Sequence, residues 1–107
     1  MILEGLTCAT STTVATSKIT INAPLRAGQR VYLVAASFTT DLVGAFDCQD
    51  STTSVFQVVA EVRAATFVNP TFTPAFPIPI SSTGVTANFV LNVTTTGRLS
   101  VCYGYGV

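Results

Sequence analysis

Two neighbouring stretches decide the fold class: Val85-Thr-Ala-Asn-Phe-Val-Leu-Asn-Val-Thr94 and Arg98-Leu-Ser-Val-Cys-Tyr-Gly-Tyr105. In both, apolar side chains occupy every second position, and polar or small residues stand at most of the positions between them. Successive side chains of a β-strand point to opposite faces of a sheet, so this period of two is typical of strands with one buried face. Thr95-Thr-Gly97 separates the stretches and predicts a tight turn between two antiparallel strands.

Earlier parts of the chain show the same kind of pattern. Lys18–Ala23 and Ser54–Arg63 alternate between apolar and polar residues, which predicts two further half-buried strands. Arg30–Phe38 is apolar on both faces, which is typical of a central strand. Thr39–Asp50, with three aspartates and Gly44, fits either a loop or a short edge element.

No stretch of the chain has a convincing helical period, and 107 residues suit one domain. We therefore expect an all-β fold in which residues 1–107 form a single antiparallel β-sandwich, Ig-like or jelly-roll-like in kind.

The segment Phe67–Ile80 departs from this pattern because it holds four of the chain's five prolines. Proline has no N–H to donate, so the segment cannot be a central strand. Its apolar residues nevertheless recur with a period of two, which a free linker does not require. Two interpretations stay open. The segment is an edge strand or long loop that packs on the domain's own sheet, or it is an extended arm that lies on a neighbouring subunit.

The composition is unusual for a small domain, with 49% hydrophobic residues, 9% charged residues and a net charge of zero. The longest unbroken apolar run, Val31–Ala36, is far shorter than the ~20 residues of a membrane-spanning helix. We therefore expect no membrane partner and infer that part of the apolar surface is buried against other protein chains. The five basic residues are scattered along the sequence, whereas nucleic-acid binding needs cations gathered on one face. We expect no nucleic-acid partner.

The residue types that do chemistry are scarce. Histidine is absent, which excludes Ser/His and Cys/His nucleophile arrangements. Asp41, Asp47 and Asp50 form the only acidic cluster, but their spacing matches no EF-hand loop, and aspartate is common in solvated turns. We expect no enzymatic activity, no catalytic residues, no cofactor and no metal site.

Cys8, Cys48 and Cys102 are far apart and form no C-x-x-C motif. The first residues, Met1–Cys8, have neither the basic region nor the continuous apolar region of a secretory signal. We therefore expect synthesis in the cytoplasm of a host cell and reduced, buried thiols. A bond between Cys8 and Cys102 stays open as an alternative, because terminal strands often pair.

A small β-domain with a threonine-rich surface, no histidine and an extended Pro/Phe segment resembles the capsid decoration, or cement, proteins of tailed bacteriophages. The stretch Ile19–Leu33 is also similar in style to strand–turn–strand passages of bacterial and phage Ig-like domains, and it carries over no functional residue. The resemblance implies a non-enzymatic structural protein of the virion that stabilises a capsid by bridging subunits. It also implies a homo-oligomer, with a trimer favoured, and a major capsid or other shell protein as partner.

Under this hypothesis, the intersubunit contacts come from the apolar residues of the Pro-rich segment and of the N-terminus. They are Phe67, Phe72, Phe76, Ile78, Ile80, Met1, Ile2, Leu3 and Leu6.

The alternative hypothesis is a fibre-tip or adhesion-type recognition module. It would bind a surface glycan or protein through loop aromatics such as Phe46, Tyr103 and Tyr105. The two tyrosines also fit a simpler interpretation, in which they continue the inward face of the last strand.

Overall fold

A computed structural model describes residues 3–21, 26–40, 43–61 and 71–107. These residues form seven β-strands and, within those ranges, no helix. The strands are β1 (Glu4–Ile21), β2 (Arg30–Thr40), β3 (Val43–Asp50), β4 (Thr53–Glu61), β5 (Thr71–Phe72), β6 (Ile78–Pro79) and β7 (Ala87–Gly106). The prediction of an all-β fold is confirmed.

Strand β7 organises the fold because it pairs antiparallel with three other strands. It pairs with β1 along most of its length, with β3 through its first part and with β2 through its second part. Strand β4 continues the network beyond β3, and β5 and β6 continue it beyond β2. The first sheet thus has the order β1-β7-β3-β4, and the second has β1-β7-β2 followed by β5 and β6. The two sheets pack together, as predicted for a sandwich.

The two sheets are continuous because β7 folds back on itself. Phe89 and Tyr103 both belong to β7, and an extended strand would separate them by about 46 Å. Their ring centroids are only 6.4 Å apart. The bend lies between Val93, which ends the pairing with β3, and Gly97, which begins the pairing with β2.

The prediction of a hairpin turn at Thr95–Gly97 is therefore wrong. The chain stays in one strand there and passes from the first sheet to the second. Each half of β7 already has a hydrogen-bonded neighbour on both sides, β1 and either β3 or β2. The two halves consequently face each other through side chains and do not pair through their backbones.

The core fills the space between the two sheets. Ring contacts cross that space, with Phe38 of β2 and Phe46 of β3 at 6.1 Å between centroids. The alternation predicted for the strands is confirmed by the residues buried in the core. These include Ile19, Ile21, Ala87, Phe89, Leu91, Leu99 and Val101.

Strand β3 corrects the expectation for Thr39–Asp50. The structure has neither a loop nor an edge element over Val43–Asp50, because β3 lies between β4 and β7. Phe46 and Cys48 face the core and are fully buried, while Asp47 lies between them on the opposite face. The aspartate alternates with apolar residues, so it marks the outer face of an inner strand.

Strand β2 is apolar on both faces for a specific reason. Its register with β7 shifts between Leu33 and Ala35, which is a β-bulge. Before the bulge, Val31 and Leu33 face the core; after it, Ala36 and Phe38 do so. The bulge moves the inward face from odd to even positions, so the sequence of β2 does not alternate.

Candidate contact surface

The outer face of the first sheet is covered by hydrogen-bonded polar side chains. The Thr20 hydroxyl donates to Asn88 Oδ1 over 2.8 Å, and Asn88 Nδ2 donates to the carbonyl oxygen of Ser51. Gln49 Nε2 donates to Asp47 Oδ2 over 3.0 Å, and the Ser54 hydroxyl donates to the other oxygen of that carboxylate. These polar groups are satisfied within the chain.

The outer face of the second sheet has a different character. On β7, the residues that alternate with the inward-facing Leu99 and Val101 begin with the exposed Arg98 and continue with small ones, namely Ser100, Cys102, Gly104 and Gly106. Side chains from the neighbouring strands lie over the two glycines. A Cβ at Gly106 would stand 2.8 Å from Leu3 Cδ2 and 3.0 Å from the Tyr32 ring. A Cβ at Gly104 would stand 3.0 Å from Leu6 Cδ2.

We call this surface the small-residue face. It is defined by Leu3, Leu6, Cys8, Tyr32, Ala35, Ser100, Cys102, Gly104 and Gly106. None of these residues carries a charge, but two arginines stand at the ends of the same face: Arg98 precedes Ser100 on β7, and Arg30 is the β2 partner of Gly106. The ion pair between Arg26 and Glu4, at 3.1 Å, lies at the end of the sheet where β1 begins.

A disulfide joins Cys8 and Cys102 across the small-residue face. The two cysteines are direct partners in the β1–β7 ladder, with their Cα atoms 4.0 Å apart. The expectation of three reduced thiols is therefore wrong for this pair, and the alternative pairing is the one observed. Cys48 remains a free thiol inside the core. Burial, with a smaller effect of the neighbouring Asp47 carboxylate, raises the pKa of Cys48 to about 12.

A shallow depression lies beside the disulfide, where the bulge of β2 meets β7. Its volume is about 90 Å³, and it is lined by Ala35, Ala36, Ser37, Ser100 and Cys102. Pockets for small organic ligands are typically ~300 Å³ or larger. The depression is thus smaller than a typical small-molecule pocket.

Two large apolar side chains of the predicted contact set are exposed to solvent near this sheet, and Val107, directly after β7, is exposed as well. Leu6, where the register of β1 shifts, is 64% exposed, and Phe76, in the bend between β5 and β6, is 80% exposed. Both residues belong to the predicted contact set. They lie on opposite edges of the second sheet.

The rest of the predicted contact set has other positions. Ile80 is buried in the chain's own core, and Ile78 is half-buried against it. Leu3 is half-buried on the small-residue face. The backbone of Phe72 pairs with Ala36 of β2. Met1, Ile2 and Phe67 lie outside the described residues.

The described part of the Pro-rich segment thus packs on the chain's own sheet. Besides the β5 and β6 pairings, the Ile80 N–H donates to the Val31 carbonyl oxygen over 2.8 Å. Residues 71–80 therefore form the edge of the second sheet, which is the first of the two interpretations left open by the sequence. Among the described side chains of this edge, Phe76 is the large apolar one that is exposed.

The aromatics of the recognition hypothesis do not form a loop cluster. Phe46 lies in β3 and is fully buried. Tyr103 and Tyr105 lie in β7, pack against the core and meet each other edge to face at 6.1 Å. Burial raises the pKa of Tyr105, and the neighbouring Tyr103 adds to this effect. The two tyrosines continue the inward face of the last strand, and the assignment to a loop site was wrong.

The acidic residues that the structure describes in the predicted cluster are engaged within the chain. Asp50 accepts hydrogen bonds from the Ser82 N–H, at 3.0 Å, and from the Ser82 hydroxyl. These bonds hold the pKa of Asp50 below its ordinary value. Asp41 lies outside the described residues, and no group of three potential metal ligands occurs among the described ones. In the same part of the chain, no helix is long and apolar enough to cross a membrane.

The sequence patterns missed the small-residue face. The signal that could have found it is the row of small residues between Leu99 and Tyr105, opposite to the apolar positions of the same strand. Comparison of this chain with protein-family models, with curated proteins and with solved structures found no match.

Proposed function

We propose that the chain is a non-enzymatic structural protein of a virus particle, which decorates a phage capsid and stabilises it by bridging subunits. The observation that carries this proposal is the contrast between the two outer faces of the sandwich. Polar side chains of the first face bond within the chain, whereas the small-residue face is built from uncharged residues, includes the exposed Leu6, and has arginines at its ends, Arg30 and Arg98. A surface whose centre is uncharged in this way suits close packing against a neighbouring protein.

The mechanism is mass action. A protein that binds only the assembled shell stabilises that shell by RT ln(1 + [L]/Kd) per site, where [L] is the concentration of free protein. Complete burial of an exposed Phe or Leu side chain contributes about 1.5–3 kcal/mol, from which the cost of association is subtracted. Leu6 and Phe76 are the two described residues of the predicted contact set that have the most apolar surface left to bury.

The partners in this proposal are other copies of the chain and a major capsid or other shell protein. The scarcity of charge supports it, because ten charged residues in 107 give little electrostatic repulsion between closely packed copies. The place of action is the virion.

The test is co-purification with intact particles. Particles lacking the chain are mixed with purified wild-type protein, isolated on a density gradient and analysed for the ratio of the chain to the shell subunit. We expect a fixed, saturable ratio for the wild type and at least a tenfold weaker association for the L6S/F76S double variant.

A matched control is Val55→Ser, which changes an exposed apolar residue, 49% exposed, on β4 of the first sheet. We expect V55S to associate as the wild type does. Failure of the wild type to associate with any particle, or equal association of L6S/F76S, would overturn the proposal.

A further inference from the structure

Strand β1 forms the edge of both sheets. Within residues 3–21, 26–40, 43–61 and 71–107, β7 is the only strand that pairs with it. The stretch Thr7–Val14 pairs with β7 in a regular register, which begins with the pair Thr7–Tyr103 and ends with the pair Val14–Thr96. Register shifts lie on either side of this stretch. One backbone edge of Thr7–Val14 is therefore left without a strand among the described residues.

This edge lacks the features that prevent edges from pairing with other chains. Natural edge strands are usually short, or they carry charges, prolines or bulges. Thr7–Val14 contains no charged residue, no proline and no register shift, and most of its residues are β-branched. The opposite edge of the second sheet is protected, because β5 and β6 have two residues each and three prolines lie between Thr71 and Ile80.

The geometry of the ladder shows which backbone groups face the open edge. Cys8 and Cys102 are direct partners with a Cα–Cα distance of 4.0 Å, which marks a narrow, non-hydrogen-bonded pair. The N–H and C=O of Cys8 therefore point away from β7. Because the register stays regular, the same holds for every second residue, namely Thr10, Thr12 and Val14.

We propose that a second copy of this chain pairs with β1 in antiparallel orientation through Thr7–Val14, about a two-fold axis at Ser11. This register sets Cys8 opposite Val14 and Thr10 opposite Thr12 of the second copy. In this register, all four edge-directed residues of each copy exchange backbone hydrogen bonds with the other copy. If the register is shifted by one or two residues, at least one edge-directed residue of each copy has no such partner within Thr7–Val14.

The stretch Thr7–Val14 holds no charge, so two copies can pair along it without bringing like charges together. Glu4 precedes the stretch and Lys18 follows it, and both side chains are exposed. Glu4 is already paired with Arg26, at 3.1 Å, so the antiparallel orientation rests on the backbone groups that the register satisfies and not on these end charges. The disulfide fixes the strand to β7 at Cys8, so the edge presented to the second copy is pre-ordered.

This contact goes beyond the proposed function and does not depend on it. An isologous contact closes after two copies, so the inference predicts a dimer in solution, in place of the trimer implied by the resemblance. The small-residue faces of the two copies would lie side by side on one widened sheet.

The test measures the mass of the full chain, with its disulfide intact, by sedimentation equilibrium from 1 µM to about 1 mM. We expect the wild type to approach a mass of twice 11.2 kDa and the T10K variant to remain at 11.2 kDa over the same range. The side chain of Thr10 is exposed, so a lysine there reaches solvent and leaves the fold intact. Thr83→Lys, at another exposed position, is the matched control and should dimerise as the wild type does.

Amide hydrogen exchange provides a second readout that a change in folding alone would not produce. In the wild type at high concentration, the amides of Cys8, Thr10, Thr12 and Val14 should exchange at least tenfold more slowly than in T10K, while the amides of β3 exchange equally in both. A monomeric or trimeric wild type, a dimeric T10K, or equal exchange of the four amides would overturn the inference. Particle binding by a monomeric T10K would separate this contact from the surface that binds the shell.

Discussion

Breaking the Cys8–Cys102 bond tests how far the closed architecture depends on one covalent link. The bond joins residues 94 positions apart, so it closes nearly the whole unfolded chain into a loop. Restricting a loop of this length contributes about 4.7 kcal/mol at 25 °C. A chain of this size has a total stability of about 5–15 kcal/mol, so the bond supplies a large share of it.

The assay is equilibrium unfolding in urea at one fixed protein concentration, with and without a reducing agent. Since the free energy of unfolding falls by about 2 kcal/mol per molar urea, reduction should lower the midpoint by about 2 M. The single variants C8S and C102S should each lose as much as the double variant, because either change removes the bond. A loss below about 1 kcal/mol on reduction would refute the reasoning.

Three further predictions follow from the core, the surface and the free thiol. Phe46→Ala should lower the free energy of unfolding by about 3–5 kcal/mol, whereas F76A should change it by less than about 0.5 kcal/mol, as measured by urea unfolding. The hydrogen bonds from Ser82 are the main cause of the lowered pKa of Asp50 in the folded protein. The ionised Asp50 therefore stabilises the folded protein above its unfolded-state pKa of about 3.9, and this stabilisation is lost as the pH falls through the lower folded-state pKa. The loss on acidification from pH 5 to pH 2 should be smaller in S82A; an equal loss would contradict this role. Cys48 should not react with a thiol reagent at pH 8 in the native oxidised protein and should react once per chain in denaturant; rapid native labelling would contradict its burial.

The sequence predicts the strands best where the alternation is regular. Ile19, Ile21, Leu99 and Val101 face the core as their spacing requires, because burial of one face follows from the two-residue period alone. Strand β2 shows the limit of this reasoning. The bulge after Leu33 moves the core-facing side chains of β2 from odd-numbered to even-numbered positions. The bulge is seen only in the register of β2 with β7, which the sequence of β2 alone does not contain.

Long-range pairing explains the other differences. Thr95–Gly97 has the composition of a turn, but β1 and the β2–β3 region occupy both edges of β7, so the strand bends there and does not reverse into a hairpin. The bond between Cys8 and Cys102 likewise follows from their register in the ladder. Long-range pairing also decides which of the predicted contact residues are buried and which are exposed. Because residues 78–79 pair with β2, Ile80 lies in the core, whereas Phe76 lies outside it.

The pairing of the first strand with the last has a consequence for synthesis. Ribosomes add about 5–20 residues per second, so β1 emerges roughly 4–20 s before its only described neighbour, β7, is complete. During that interval neither edge of Thr7–Val14 is covered by its native partner. Nascent chains on one messenger would then bring several such segments close together, and the order of synthesis itself would favour contact between copies before any of them is fully folded.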